Sequence, residues 1–390
     1  MTRKKGPKVL RKKKKLENIQ RFTQVQHLGG NRLSARDYRI LKRMTHGTKA
    51  LYNVGLYTIK QAQYEHGRTA TGKEIDDAMK ADINFFCAQT NSVQAIRRTL
   101  QSDVNSFYKS LEAWKEDPSK FSGRPKLPNY AKKEEKRILE IYQVPKVDEN
   151  GQWKLPMNNN FRKKYGPVYI TMPKNLRHHK VTYIEIVPRH KGRFFDVHYT
   201  YEVQVAQMKK APTTSTHALG IDFGVDNLMS AASNQGETFL IDGRELKSLN
   251  RYWNKQLGKQ QLLNVENGLS KRVVTKRQAT MWTKRERQIN GYFSKAVGLL
   301  FQEVKKRNID TIVVGYNEGW KQKADMGRKN NQSFVQIPFQ KLLKAIENKC
   351  LKEGILFLKQ EESYTSLASF LSRDIIPVWA EGAMETYKFG

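Results

Sequence analysis

The acidic residue best placed for chemistry is Asp222, which follows the apolar run Leu219-Gly220-Ile221 and precedes Phe223 and Gly224. The apolar run predicts a buried strand, and the glycine lets the backbone turn away directly after the carboxylate. Convergent carboxylates at such a strand tip can hold two divalent ions and hydrolyse a phosphodiester. The alternative is a buried strand whose last aspartate only caps a turn, and the motif taken alone favours that alternative.

The surrounding sequence predicts the elements that would position this carboxylate. Residues 219–228 and 238–242 are predicted to pair as the two strands of a hairpin. Further along the chain come a strand at 309–315, a helix at 338–351 and a strand at 355–358. Strands that alternate with helices in this way indicate an α/β sheet.

The charge of the chain indicates a polyanionic partner. Its 390 residues include 71 Lys and Arg against 37 Asp and Glu, which gives a net charge of +34. A basic surplus of this size is typical of nucleic-acid binding. No apolar run is long enough for a bilayer span or a signal segment, so a membrane or secreted protein is not expected. The only cysteines, Cys87 and Cys350, favour no disulfide framework or zinc ribbon and suit a reducing cytoplasm.

The first third of the chain predicts a basic tail followed by helices. Residues 2–15 are either a solvated, disordered tail or an arm that follows phosphates. Helices are predicted from Ser34 onward, over 72–84 and over 92–114. The exposed face of the third helix carries side chains that suit base edges and phosphates, although these are also ordinary helix-surface residues. They are Gln94, Arg97, Arg98 and Gln101.

The middle of the chain predicts a β-rich region. Prolines and glycine exclude a helix over 117–128. Apolar and polar residues then alternate over several segments, which indicates a small β-barrel or sandwich. The predicted strands are 138–144, 165–172, 180–189 and 193–205.

A long basic helical hairpin is predicted after Asp242. Aromatic side chains interleave with its lysines and arginines: Tyr252, Trp253, Trp282 and Tyr292. Aromatic residues among basic ones are suited to stacking on bases or sugars, although a run of charges is usually only a solvated helix face.

Several of these stretches together resemble the TnpB family, the RNA-guided nucleases of insertion sequences that are related to type V CRISPR effectors. The similar segments are 114–128, 220–225, 314–322, 332–339 and 360–366. They follow one another in the family's order at compatible spacings. Gly220 to Val225 is similar to the family's first RuvC motif, and residues 314–339 are similar to the middle RuvC segment.

The resemblance implies an α/β multidomain architecture. A split wedge β-barrel would carry an inserted helical recognition domain and be followed by a RuvC, ribonuclease-H-like domain that is truncated at its C-terminus. The implied domains are 1–32 (basic arm and first wedge part), 33–124 (helical recognition), 125–212 (second wedge part) and 213–390 (RuvC-like). The implied partners are a guide RNA and double-stranded target DNA held through an RNA–DNA heteroduplex, in a bacterial cytoplasm.

The sequence also departs from the family's catalytic pattern. In the family, the strand that corresponds to residues 312–314 is often followed by the second catalytic glutamate. In this sequence that position holds Gly315. Some relatives carry a displaced glutamate instead, and Glu361 and Glu362 match that segment. The four-cysteine zinc ribbon and the third catalytic aspartate that normally follow have no counterpart before Gly390.

Two functions from different classes therefore compete, and a plain RNA chaperone with no DNA target is a third alternative if the recognition helix contacts no duplex. In the first, Asp222, Glu361 and Glu362 are vestigial and the protein is a nuclease-dead repressor that needs no cofactor. In the second, it is an active endonuclease with a minimal Mg²⁺-dependent RuvC site and no zinc. In both, Ser92, Gln94, Arg97 and Arg98 are expected to read a DNA motif beside the target. The other expected nucleic-acid contacts are Lys4, Lys5, Arg11, Lys12, Lys13, Lys14, Arg124, Lys126, Trp320, Lys321, Arg328 and Lys329.

Overall fold

The computed structural model describes residues 19–29, 32–204, 214–270, 273–316 and 337–361. The chain forms two compact units, residues 1–205 and residues 206–390. Both units combine helices with strands, which confirms the predicted mixed α/β class. Among the described helices, none is both long and apolar enough to cross a bilayer. Cys87 and Cys350 are buried free thiols.

The first unit contains an antiparallel sheet in the order β1-β6-β5-β2. Its strands are β1 Ile19–Leu28, β2 Leu139–Ile141, β5 Lys180–Arg189 and β6 Phe194–Gln204. A separate antiparallel pair consists of β3 Gln152–Lys154 and β4 Tyr169–Thr171. No pairing among the described strands closes these sheets into a barrel, so the split barrel stays a prediction.

Three helices lie between β1 and β2 in the sequence: α1 Ala35–His66, α2 Gly72–Ala81 and α3 Thr90–Glu116. Helix α1 begins where predicted, because the hydroxyl of Ser34 accepts a hydrogen bond from the N–H of Asp37. Helix α2 ends earlier than predicted. Asp82 leaves the helical conformation, and its carboxylate instead caps the 3₁₀ turn Ile83–Cys87.

The predicted strand over residues 165–172 is wrong in its first half. Asn159–Tyr165 forms helix α4, because the side chain of Asn158 accepts a hydrogen bond from the N–H of Asn160 and caps the helix. Only Tyr169–Thr171 is a strand. The predicted strands 180–189 and 193–205 are confirmed as the hairpin of β5 and β6.

The second unit contains a five-stranded sheet in the order β11-β10-β7-β8-β9. Strands β7 Ala218–Phe223, β8 Asn227–Ser233 and β9 Thr238–Asp242 form an antiparallel meander, while β10 Thr311–Gly315 and β11 Leu356–Gln360 run parallel to β7. The predicted hairpin of 219–228 with 238–242 is wrong. The chain turns at Gly224, so an unpredicted strand, β8, lies between β7 and β9 and pairs with both.

Helices of the second unit cover one face of this sheet. They are α5 Arg244–Glu266, α6 Lys276–Lys306 and α7 Phe339–Glu353. Helices α6 and α7 share a core with Leu219, Ile221 and Phe223 of β7. Successive side chains of a strand point to opposite faces, so Asp222 lies on the face away from this core.

The basic helical hairpin is confirmed as α5 and α6, but its aromatic residues are not equally exposed. Trp253 is buried, and its indole N–H donates a 2.6 Å hydrogen bond to Gln288. The hydroxyl of Tyr292 donates to the backbone oxygen of Asp242. Tyr252 is exposed. In this structure the stacking role predicted for these aromatics therefore fits Tyr252 and does not fit Trp253.

Candidate functional site

The carboxyl ends of β7, β10 and β11 lie at one edge of the second unit's sheet, because the three strands are parallel. In the register of β10 and β7, Val314 lies opposite Ile221. The next residues of the two strands are Gly315 and Asp222, which are therefore neighbours at this edge.

Glu361 belongs to the same edge. Gly315 lies opposite Gln360 of β11, and Glu361 directly follows Gln360. The structure thus brings the predicted residues Asp222 and Glu361 to one edge of the sheet. Gly315 lies between them, on β10, the strand that separates β7 from β11. Glu362 lies outside the described residues.

The carboxylate of Asp222 lies in an unusual electrostatic setting. Burial raises the pKa of Asp222, and the backbone N–H of Phe223 opposes that shift. The residue as a whole is exposed, but protein atoms around the carboxylate partly desolvate it, and this desolvation raises the pKa. Within the described part of the chain, no ion pair or side-chain hydrogen bond engages this carboxylate. A perturbed carboxylate at a strand end is a candidate functional group.

Two glycines hold the turn that follows Asp222. A β-carbon on Gly224 would lie 2.6 Å from the backbone oxygen of Asn227, and one on Gly243 would lie 2.2 Å from that of Val225. The N–H of Gly243 also donates a 2.7 Å hydrogen bond to the backbone oxygen of Asp226. This close backbone packing fixes the β7–β8 turn against the start of α5, and with it the position of Asp222.

The described residues at this edge do not fit a centre of two divalent ions. Such a centre needs several convergent carboxylates. Among the described residues, no group of three or more His, Cys, Asp or Glu side chains could hold a metal ion. Asp222 and Glu361 are the two predicted ligands that the structure describes at the edge, and Gly315 offers no side-chain ligand.

A second candidate site lies on helix α3 of the first unit. Gln94 and Arg98 are exposed and one helical turn apart, so they share one face. The guanidinium of Arg98 stacks 4.6 Å above the ring of Tyr142. The hydroxyl of Tyr142 in turn donates a 2.7 Å hydrogen bond to Glu140. These contacts orient the Arg98 guanidinium, which is suited to bind the edge of a base or a phosphate.

The other two residues of α3 that were predicted to contact the DNA motif are less accessible. Ser92 is buried, and its hydroxyl donates a 2.5 Å hydrogen bond to the backbone oxygen of Glu140. Arg97 is partly buried, and its Nε lies 3.2 Å from the carboxylate of Asp76 on α2. The buried environment that encloses Ser92 depends on tertiary contacts with β2, which the helical spacing did not predict.

The remaining predicted contacts divide between described and undescribed residues. Arg124 and Lys126 are exposed, and the guanidinium of Arg124 lies 5.9 Å from the ring centre of Trp114. Lys4, Lys5, Arg11, Lys12, Lys13, Lys14, Trp320, Lys321, Arg328 and Lys329 lie outside the described residues.

Sequence reasoning missed a group of basic residues on α1. Lys42, His46 and Lys49 are spaced to share one helix face, and Lys136 lies against them. A signal was present: from Tyr38 to Tyr64 the sequence contains no acidic residue, so these side chains have no acidic neighbour in that stretch.

A comparison with family models matches residues 198–321 to the family OrfB_IS605, described as a probable transposase. This match confirms the predicted resemblance to the TnpB family. It covers about a third of the chain, from β6 to just past β10, and includes both Asp222 and Gly315. A comparison with curated proteins gives no match.

Solved structures of type V effectors are similar at low identity. A Cas12f1–sgRNA–target DNA complex is 15% identical over 86% of this chain and 75% of its own, with a TM-score of 0.46. A CRISPR–Cas12f ternary complex is 14% identical over 82% and 70%, with a TM-score of 0.28. C2c1 from Alicyclobacillus acidoterrestris, solved with single-guide RNA, is 8% identical over 95% and 63%, with a TM-score of 0.32.

Proposed function

We propose that this protein is an RNA-guided, sequence-specific double-stranded DNA-binding protein without nuclease activity. It represses transcription by occupying a guide-matched target beside a short DNA motif. The match to the TnpB family and the net charge of +34 support a nucleic-acid role. The partners in this proposal are a guide RNA and target DNA, and no cofactor is needed for binding. The protein would act in the bacterial cytoplasm, on the nucleoid.

The observation that best supports the absence of nuclease activity is the position of Gly315. It lies beside Asp222 at the carboxyl edge of the sheet, where the family often has its second catalytic glutamate. A glycine contributes no ligand, and two-metal hydrolysis of a phosphodiester depends on carboxylates to bind both ions. Asp222 is then a vestige of a site that lacks the means to cleave.

The alternative is an active endonuclease with a minimal Mg²⁺-dependent RuvC site. Glu361 supports it, because this residue directly follows β11 at the carboxyl edge where β7 ends with Asp222. In this alternative Asp222, Glu361 and Glu362 would hold the metal ion, following the family's displaced pattern. The two functions differ in one measurable outcome, which is cleavage of the target.

The proposed domain assignment follows the resemblance. Residues 33–124 would form the recognition domain, with residues 1–32 and 125–212 forming the wedge and residues 213–390 forming the RuvC-like domain. Gln94 and Arg98 would read the DNA motif from the exposed face of α3, together with Arg97. The target sequence itself would be read by pairing between guide and DNA. The protein would contact only the sugar-phosphate backbone of this heteroduplex.

Reprogramming the guide tests this proposal. The full chain is expressed with a guide directed at a reporter promoter, and occupancy, reporter expression and DNA integrity are measured in the same cells. We expect occupancy to move with the guide and expression to fall while the DNA stays intact. Cleavage that Asp222→Ala abolishes would establish the endonuclease instead. Occupancy that ignores the guide would reduce the protein to a general nucleic-acid binder.

A further inference from the structure

Helix α1 carries a buried lysine that has no anionic partner among the residues that the structure describes. Lys49 is only 7% exposed, although a lysine is rarely buried unless it is paired. No ion pair or side-chain hydrogen bond to Lys49 is found among the described residues. Lys42 and His46 precede it by seven and three residues on the same face.

A lysine from outside the helix joins this group. The segment that contains it is fastened to α1, because the side-chain amide of Asn53 exchanges two 2.9 Å hydrogen bonds with the backbone of Ala131. The hydroxyl of Thr48 also donates a 3.1 Å hydrogen bond to the backbone oxygen of Arg137. Lys136 is thereby held with its Nζ 3.2 Å from Nδ1 of His46.

The four residues Lys42, His46, Lys49 and Lys136, called here the α1 cationic cluster, repel one another. Burial lowers the pKa of Lys136, and the charges of Lys49 and Lys42 lower it further. Burial, Lys136 and Lys49 likewise lower the pKa of His46. Besides His46, Lys136 contacts two backbone oxygens. The charge of Glu134 raises the pKa of Lys136, but the carboxylate of Glu134 forms a 2.6 Å ion pair with Lys191. Repulsion of this kind destabilises the folded chain unless an anion relieves it.

A cavity of about 610 Å³ lies beside the cluster and shares Lys136 with it. Its walls combine apolar side chains with polar and charged ones. The apolar ones include Ile96, Ile138 and Val187, and the polar and charged ones include Thr99, Glu135, Arg137 and Glu140. The volume falls in the range of small-ligand sites, and apolar walls with a few polar groups suit a flat heteroaromatic ring.

A strained hairpin tip supplies a further lysine to the cavity wall. His190 and Lys191, at the β5–β6 tip, have positive φ angles of 48° and 62°. This conformation costs non-glycine residues free energy and so invites a functional explanation. Gly192 follows at φ 77°, and a β-carbon there would lie 3.0 Å from Cγ of Lys136. The tip therefore packs against Lys136 and places Lys191 at the cavity.

We propose that the α1 cationic cluster binds one phosphate of a nucleic-acid strand and that the adjoining cavity holds the attached nucleoside, turned out of the stack. The phosphate supplies a counter-charge to Lys49 and Lys136, and the cavity walls bury the faces of the base. This inference deepens the proposed function, on which it rests, because it assigns a strand contact to residues outside the motif-reading face of α3. The chemistry recognised is a nucleoside phosphate.

Binding of short oligonucleotides tests the cluster. The full chain, stripped of nucleic acid at high salt, is titrated with fluorescein-labelled U10 RNA and T10 DNA at several salt concentrations. Lys49→Met and Lys136→Met each remove one charge but keep the length of the side chain. Lys60→Met is the matched control, because Lys60 lies on the same helix but stacks on Tyr130, away from the cluster.

We expect Lys49→Met and Lys136→Met to weaken binding of at least one probe about tenfold, as for the loss of a charge-assisted contact. The salt slope should fall in size by about 0.7 for each lost phosphate contact on a single strand. The double variant should lose little more than either single one, because both lysines hold the same phosphate. If Lys49→Met and Lys60→Met behave alike for both probes, the cluster binds no strand and the inference fails.

Two further arms identify the ligand and exclude misfolding. Thr99→Tyr fills the cavity and leaves every charge in place, so it should weaken binding while the salt slope stays unchanged. Thermal denaturation checks folding, and Lys49→Met should melt at the same temperature as the wild type or higher, because it removes a repulsive buried charge. Adenosine monophosphate and inorganic phosphate are tested alongside. If they stabilise the wild type while the oligonucleotides bind all variants equally, the site belongs to a free nucleotide or phosphate and the strand contact is refuted.

This outcome is separate from the test of the proposed function. Binding of U10 or T10 involves no guide pairing, so the cluster can fail while guide-directed occupancy persists. Conversely, a protein whose occupancy ignores the guide can still lose oligonucleotide binding when Lys49 is replaced.

Discussion

The guanidinium of Arg97 lies 3.2 Å from the carboxylate of Asp76 and directly over Gly72, where a β-carbon would meet its Nη1 at 2.9 Å. Arg97 therefore fastens α3 to α2. The ion pair engages Nε, and the outer edge of the guanidinium carries only a long, 3.5 Å hydrogen bond to Gln101. Arg97 is thus held by Asp76 while 28% of its side chain stays exposed to a ligand.

The first prediction separates these two roles. Arg97→Ala should relax specificity at one base pair of the DNA motif, with a loss of about 1–3 kcal/mol for the preferred base. Asp76→Ala should lower the melting temperature slightly, because a partly exposed ion pair contributes only about 0.2–1 kcal/mol, and should leave base preference unchanged. Binding to a set of single-base motif variants measures both effects. If Arg97→Ala weakens all motifs equally, Arg97 is a phosphate contact or a structural link.

Local sequence signals predicted the elements well where they did not compete with tertiary contacts. The Ser34 cap of α1, the apolar stripes of α1 and α3, and the β5–β6 hairpin are confirmed, because each signal lies within the element itself. The turn at Gly224 was predicted, but β8 was missed because the pattern predicted one strand over residues 219–228 and no separate strand over Asn227–Ser233. The catalytic role of Asp222 and Glu361 stays a prediction. Their strands end at the same edge of the sheet with β10 between them, which follows from the parallel register of three strands. The burial of Ser92 and of Lys49 depends on tertiary contacts that the helical spacing did not predict.

The second prediction concerns the turn that holds Asp222. Gly243→Ala should destabilise the second unit by roughly 2–3 kcal/mol, because the new β-carbon would lie 2.2 Å from the backbone oxygen of Val225 and force the turn apart. Gly258→Ala is the control, since it lies inside α5 and its β-carbon meets open space. That change should stabilise the helix by about 0.5–1 kcal/mol. Chemical denaturation of both variants gives the comparison, and equal stability would show that the turn yields without strain.

The third prediction uses the acidic residue that joins the starts of β7 and β10. Burial raises the pKa of Asp310, but hydrogen bonds from Thr216 and Thr311 and from the backbone of His217 outweigh it and leave the pKa well below its usual range. A depressed pKa stabilises the fold above the ordinary aspartate pKa, and this contribution is lost as pH falls below that value. Asp310→Asn should therefore cost about 1 kcal/mol at pH 7, since the site is partly open to solvent.

The pH dependence provides the control for Asp310. The difference between Asp310→Asn and the wild type should shrink as the pH is lowered from 5 towards 2, because Asp310 then takes up a proton in the unfolded chain, which stabilises the unfolded state relative to the folded one. Melting curves across this range measure it. A difference that stays constant with pH would mean that the side-chain shape, and not the charge, holds the two strand starts together.

The last prediction tests whether Asp222 is a vestige. Its pKa is raised by burial, so the charged form is destabilised in the folded state. The penalty is absent below the ordinary aspartate pKa and grows as the pH rises through the raised folded pKa. Asp222→Asn should therefore melt at a higher temperature than the wild type at pH 7, and at nearly the same temperature at pH 3. Guide-directed occupancy should be unchanged in this variant.

Mg²⁺ should raise the melting temperature of neither the wild type nor Asp222→Asn. Stabilisation of the wild type alone by millimolar Mg²⁺, with none of Asp222→Asn, would show that the carboxylate binds the ion and would favour the endonuclease over the repressor.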